Sequence, residues 1–181
     1  LSRGCMRMVW GGRAVMALLD GAGAQDRVVA LISGGGSALL PAPAAGLTLA
    51  DKIAVNRLLL AHGFAITEVN LIRQSLSALK GGGMVRLAAP APVAAYILSD
   101  VIGDNLRTIA SGPTVAPLGT RVEARGLLVA RGVWPDLPEG VRARLSLPEA
   151  AARPLPAARN RLIGSNRQSL EAMLAAHGPG A

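Results

Sequence analysis

Aromatic side chains are almost absent from this chain of 181 residues, which carries only Trp10, Phe64, Tyr96 and Trp134. Rings so scattered exclude the stacking platform of a single-strand nucleic-acid binder. The lone cysteine, Cys5, excludes an internal disulfide and has no Cys or His neighbour at metal-ligand spacing. Long apolar runs are missing as well. The nearest, Leu87 to Leu98, is broken by Pro90 and Pro92 and falls short of the about 18 residues a membrane span needs. The start of the chain shows no secretory signal pattern, so the expected address is the cytoplasm. Arginine supplies every basic side chain except Lys52 and Lys80, and the net charge is +8. The arginines are spread along the chain with no basic stripe, so they speak for a compositional bias and not for a nucleic-acid partner. His62 and His177 each precede a glycine at an expected helix end, where imidazole suits the macrodipole, and no zinc or other metal site is expected.

The length suits one domain. Residues Leu1 to Trp10 show neither helical nor strand period, and a first helix is expected over Arg13 to Leu19. The β-branched run Val28 to Ile32 reads as a buried strand. Thr48 and Asp51 resemble a capping box, with Asp in place of Glu, opening a helix that ends near Ala61. Val69, Ile72, Leu76 and Leu79 recur at three- and four-residue intervals, which predicts a helix running to Lys80. Val93 to Leu98 is a second buried strand and Arg161 to Gly164 a short third. Helices near Arg121 to Arg131 and Asn166 to Ala176 bracket a Pro-rich segment. Strands alternating with helices predict an α/β fold, a largely parallel Rossmann-like sheet with helices on both faces.

Chemistry gathers after the strands. Ser33-Gly34-Gly35-Gly36-Ser37 follows the first strand, and glycines without Cβ atoms let successive N–H groups converge on an anion. It is not a Walker A loop, nor the dinucleotide fingerprint, because Leu39 stands three after Gly36. Asp51 lies at roughly ribose-contact spacing, but Pro41 and Pro43 forbid an uninterrupted helix between it and the glycines. Ser99 to Asn105 follows the second strand and Gly164-Ser165-Asn166 the third, so a parallel sheet brings all three loops to one edge. Asp100 and Asp104 either cap the following turn, or take a substrate proton or hold Mg²⁺. Lys80, against three glycines, either complements a helix end or reaches a phosphate as a point charge. Ala110-Ser111-Gly112-Pro113-Thr114 adds a further loop with hydroxyls.

Read together, Leu31 to Leu40, Gly46-Leu47-Thr48-Leu49 with Asp51-Lys52, Leu76 to Gly82, Leu98 to Asp104, Ala110 to Thr114 and Ile163 to Asn166 resemble the glycerate 2-kinases with a C-terminal MOFRL domain. Members of that family are often named hydroxypyruvate reductases. The resemblance implies ATP-dependent phosphorylation of D-glycerate at its 2-hydroxyl, with Mg²⁺ on the nucleotide. It implies that the Ser33–Ser37 loop and Lys80 line the phosphate and carboxylate region, that an aspartate of the Asp100/Asp104 loop is the base, and that Arg73 holds the carboxylate. Ser99, Ser165 and Asn166 belong to the same implied site. The departures are Ser75, where many members carry histidine, and Leu1 to Trp10, which lacks the family's His-Pro-x-Pro-Asp-like segment. The chain is expected to be a partial N-terminal domain (residues 1–181), without the C-terminal MOFRL domain. Two other readings stand beside the kinase: an NAD(P)H-dependent hydroxypyruvate reductase, and a non-catalytic fragment that binds an anion. The oligomeric state is left open.

Overall fold

The computed structural model describes residues 3–149 and 154–177. Strands β1 (Val28–Ser33), β2 (Val93–Leu98) and β3 (Ala158–Gly164) form one parallel sheet in the order β1-β2-β3. Val28 pairs with Val93 and Val93 with Ala158, so all three strands start level and end at the same edge. Helix α1 (Arg3–Asp20) begins well before the expected Arg13, within the stretch that showed no period in the sequence. A short helix α2 (Gly36–Leu39) follows the glycine loop. The chain continues through α3 (Leu49–Ala61), α4 (Ile66–Ser75), α5 (Gly83–Ala88), α6 (Arg121–Ala130), α7 (Glu139–Ser146) and α8 (Asn166–His177).

The apolar residues sort into two cores. One lies on the sheet: Ala30, Ile32, Ala95 and Ile97 pack with Leu19 of α1 and with Met84, Val85 and Ala88 of α5. The other is purely helical, built from Val55 and Leu59 of α3, Val69 and Ile72 of α4, Ala124 and Leu128 of α6, and Val141 and Leu145 of α7. Strand alternation decides which sheet residues are covered. On the opposite face Val29, Leu31, Leu98 and Ile163 are exposed, Leu31 at 81%. Helix cover is thus confined to one face among the described residues.

The segment that crosses between the two cores departs from its sequence pattern. The predicted helix to Lys80 ends at Ser75, whose hydroxyl donates back to Leu71 O at 3.1 Å. Ser77 then bridges Pro43 in antiparallel fashion, and Ala78 N donates to Ala42 O at 2.9 Å. Leu76 stays in the helical core while Leu79 enters the sheet core. Their spacing matches a helix only because both are apolar. The expected capping box is present, with Asp51 N donating to Thr48 Oγ1 at 3.1 Å and Thr48 N donating to Asp51 Oδ2 at 2.7 Å. His62 ends α3 as its C-cap, with Nδ1 2.9 Å from Leu58 O.

The two faces of burial have measurable consequences. Leu128→Ala, at a fully buried position, lowers the unfolding free energy by about 2–5 kcal/mol in urea titrations. Leu31→Ser, on the open sheet face, changes it by less than about 0.5 kcal/mol. A large loss at Leu31 would show that this face is covered in solution.

Candidate active site

A cleft of about 500 Å³ opens where the two cores meet. The sheet side supplies Gly34, Gly35 and Ser37 from the loop after β1, and the helical side supplies Lys52 and Asn56 of α3 and Arg73 of α4. Lys80 comes from the crossing segment between them. Its position at a helix C-terminus is not observed: it sits in the turn at residues 78–82, and its side chain reaches across to the glycine loop.

Lys80 Nζ donates to Ser37 Oγ at 2.6 Å, Ser37 O at 3.1 Å and Ser111 Oγ at 3.3 Å. The two serine hydroxyls lie 3.0 Å apart. Three ammonium protons therefore meet three acceptors drawn from two loops. Ser111 is buried, and both it and Ala110 adopt left-handed backbone, at φ 63° and 49°. Non-glycine residues pay for that conformation, and it persists where the surroundings over-determine it. Here Gln74 does so, donating from Nε2 to Arg107 O at 2.9 Å and Ser111 O at 3.0 Å, while its Oε1 accepts from Leu118 N at 2.8 Å. Backbone bonds from Gly81 N to Ser111 O and Gly82 N to Gly112 O, at 3.1 and 2.8 Å, lace the same loop to the lysine turn. Gly82 itself needs to be glycine, with φ 79° and Leu155 packed where a Cβ would project.

Arg73 is oriented by Asn56, one turn beyond Lys52 on α3: its Nε donates to Asn56 Oδ1 at 3.1 Å and its Nη2 bonds the same oxygen. Among the described residues no carboxylate pairs with Lys52, Arg73 or Lys80. Burial, then the charges of Lys52 and Arg73, push the Lys80 ammonium down to about 7. Burial and Arg73 lower Lys52 to about 8, and burial lowers Arg73. Three crowded cations that repel one another constitute a site that an anion would stabilise.

The remaining sequence-nominated residues distribute unevenly. Gly34 N donates to Leu98 O at 3.3 Å and Ser99 N to Gly164 O at 2.9 Å, so the three strand-end loops do share one edge. A Cβ on Gly34 would overlap the Asp100 carboxylate, which puts Asp100 directly against the cleft loop. Asp104 lies further along the same loop at φ 52°, and the turn that follows is held by Asn105, whose Oδ1 accepts from Arg107 N at 3.0 Å. Neither aspartate makes the capping bond. Ser33 ends β1 on the open face, and Gly36 starts α2. Ser99 spends its hydroxyl within its own turn, on Val101 O at 3.2 Å. Ser165 Oγ accepts from Gln168 N at 3.2 Å at the start of α8, and Asn166 is exposed beside it. None of these five lines the cleft. Sequence reasoning missed Asn56, Gln74 and the role of Ser111, and left Lys52 without one. The scarcity of lysine was the signal that could have found Lys52.

A family model described as "Domain of unknown function (DUF4147)" matches residues 7–146. A "Putative hydroxypyruvate reductase" of Agrobacterium vitis is 50% identical over 131 residues, which are 72% of this chain and 30% of that protein. Glycerate kinase of Homo sapiens is 48% identical over 133 residues, 74% of this chain and 25% of its own. The crystal structure of glycerate kinase from Thermotoga maritima aligns with a TM-score of 0.83 at 32% identity, covering 94% of this chain and 41% of that one. The chain therefore spans well under half the length of these relatives.

The lowered lysines give stability a pH dependence of defined sign. The unfolded chain holds the Lys80 proton up to its ordinary 10.5, whereas the folded chain releases it from about 7. Between those values the unfolded state binds more protons, so stability rises with pH across that window. Urea midpoints measured from pH about 7 upward should climb in the wild type and climb less steeply in Lys80→Met, where only Lys52 remains lowered. An equal slope in both would assign the effect to other groups.

Proposed function

This chain belongs to the DUF4147 family, and on that premise we propose that the protein phosphorylates D-glycerate at its 2-hydroxyl, with Mg·ATP as donor and 2-phosphoglycerate and ADP as products. The observation that carries this reading is the cleft wall of Lys52, Arg73 and Lys80, unpaired with any carboxylate of the described residues, facing a glycine loop. Phosphoryl transfer asks a protein mainly for positioning and for charge neutralisation, and this wall supplies both.

In this reading Arg73, held by Asn56, takes the glycerate carboxylate through its guanidinium fork. Lys52 adds a second positive charge beside it. Lys80, anchored on Ser37 and Ser111, neutralises the charge that develops on the transferred group. Asp100, packed on Gly34, accepts the proton of the 2-hydroxyl. ATP fits this cationic donor set and, when bound, supplies the phosphoryl group. Magnesium in such sites rides on the substrate phosphates with one or two protein carboxylates, and Asp104 is the one left on this loop. The reductase reading has less behind it. Asp51, the acid at ribose spacing, is committed to the capping box of α3, and the glycine loop lacks the dinucleotide fingerprint.

Phosphorus NMR of protein incubated with Mg·ATP and D-glycerate tests the proposal. A 2-phosphoglycerate signal is expected, and Asp100→Asn should lower kcat by about 10²–10⁴ with little change in KM. A folded protein that makes no phosphorylated glycerate would refute the reading.

A further inference from the structure

Lys80 has a second face. A cavity of about 860 Å³ lies on the other side of the turn at residues 78–82, and among the described residues Lys80 alone lines both it and the cleft. Three arginines from three helices meet there: Arg86 of α5, Arg121 at the start of α6 and Arg144 of α7. Their charge is only partly answered. Arg86 Nη1 donates to Gly81 O at 2.9 Å. Arg121 Nη2 donates to Pro148 O at 2.6 Å and stands 3.6 Å from the Glu149 carboxylate. Glu149 Oε1 is itself engaged by Arg121 N at 2.6 Å.

Two further donors are orphaned. Arg121 Nε and Arg144 Nε are both buried with no hydrogen-bond partner. A buried donor on a charged group that lacks an acceptor carries its full desolvation cost. Burial, and then the neighbouring Arg121 charge, lower the Arg144 guanidinium, with Glu149 opposing them. One carboxylate among three guanidinium groups leaves the cavity positively charged. Guanidinium N–H forks match the oxygens of a phosphate in geometry as well as in charge.

We propose that this cavity is a second oxyanion site, separate from the cleft, that takes a terminal phosphate dianion through Arg86, Arg121 and Arg144. The inference does not depend on glycerate being the substrate of the cleft. The phosphate could belong to a nucleotide or be free, and the chemistry of recognition is the same in both cases. Because Lys80 borders both cavities, an anion in the second one also favours the protonated form of Lys80 that the first requires.

Isothermal titration calorimetry at low salt decides it. A protein whose cleft is disabled by Lys52→Met with Arg73→Gln should still bind one pyrophosphate per chain. Adding Arg86→Gln should weaken that binding about tenfold, the effect of one charge-assisted hydrogen bond, and adding Arg144→Gln should remove it. Arg86 is exposed on α5, so its replacement spares the fold and keeps the test decisive if Arg144→Gln fails to fold. Titrating inorganic phosphate and ADP separately distinguishes the sources: tighter ADP binding assigns a nucleotide, and parity assigns free phosphate. Loss of all pyrophosphate binding in the folded cleft variant, or binding indifferent to Arg86→Gln, overturns the proposal.

Discussion

One ammonium group holds the candidate site in shape. Lys80 Nζ reaches the carbonyl and hydroxyl of Ser37 and the hydroxyl of Ser111, and so ties the glycine loop, the crossing segment and the loop at residues 110–114 to one point. Burying such a group is costly, and only a complete set of acceptors makes it tolerable. Everything around the lysine serves that geometry. Ser77 Oγ donates to Ala42 O at 3.1 Å where the crossing segment begins, and Gln74 fixes the loop that presents Ser111.

The same crowding explains why the cleft suits anions. Beyond the effect of burial, Lys52 and Arg73 lower Lys80 and Arg73 lowers Lys52, so the empty protein carries an electrostatic cost in advance of binding. A ligand with negative charge relieves that cost, and part of its affinity comes from the relief and not from new contacts. Preorganised charge of this kind needs no rearrangement when charge develops during a reaction. Two cores with different partners make the arrangement possible. Loops from the sheet and side chains from the helical cluster meet only at their junction, where Leu76 belongs to one core and Leu79 to the other.

Much of this was legible in the residues, and the rest was hidden for physical reasons. The two strongest strands announce themselves as short apolar runs, and their parallel pairing follows from the helices between them. The glycine loop is visible because three glycines between two serines follow directly on a strand-forming run. Lys80 stands out by rarity, but its role does not, since a three-four apolar spacing cannot distinguish one continuous helix from a segment that changes cores. Ser111 was obscured by its neighbour: a reader assigns the left-handed turn to Gly112, whereas Ala110 and Ser111 adopt it too. Helix α7 was lost in a Pro-rich stretch. Asn56 and Gln74 are ordinary polar residues whose importance exists only in three dimensions. Among the described residues one face of the sheet carries exposed Leu31 and Val29, which strand alternation alone does not announce.

The left-handed residues carry a consequence for how such a sequence can change. Asp104, Ala110 and Ser111 all hold conformations that glycine would adopt without penalty. A glycine at Ala110 would remove that penalty but enlarge the freedom of the unfolded chain and slacken the loop that carries the Ser111 hydroxyl. Lower backbone strain and a taut site therefore make opposite demands at these positions. Glycine at these positions would exchange a taut loop for a relaxed one.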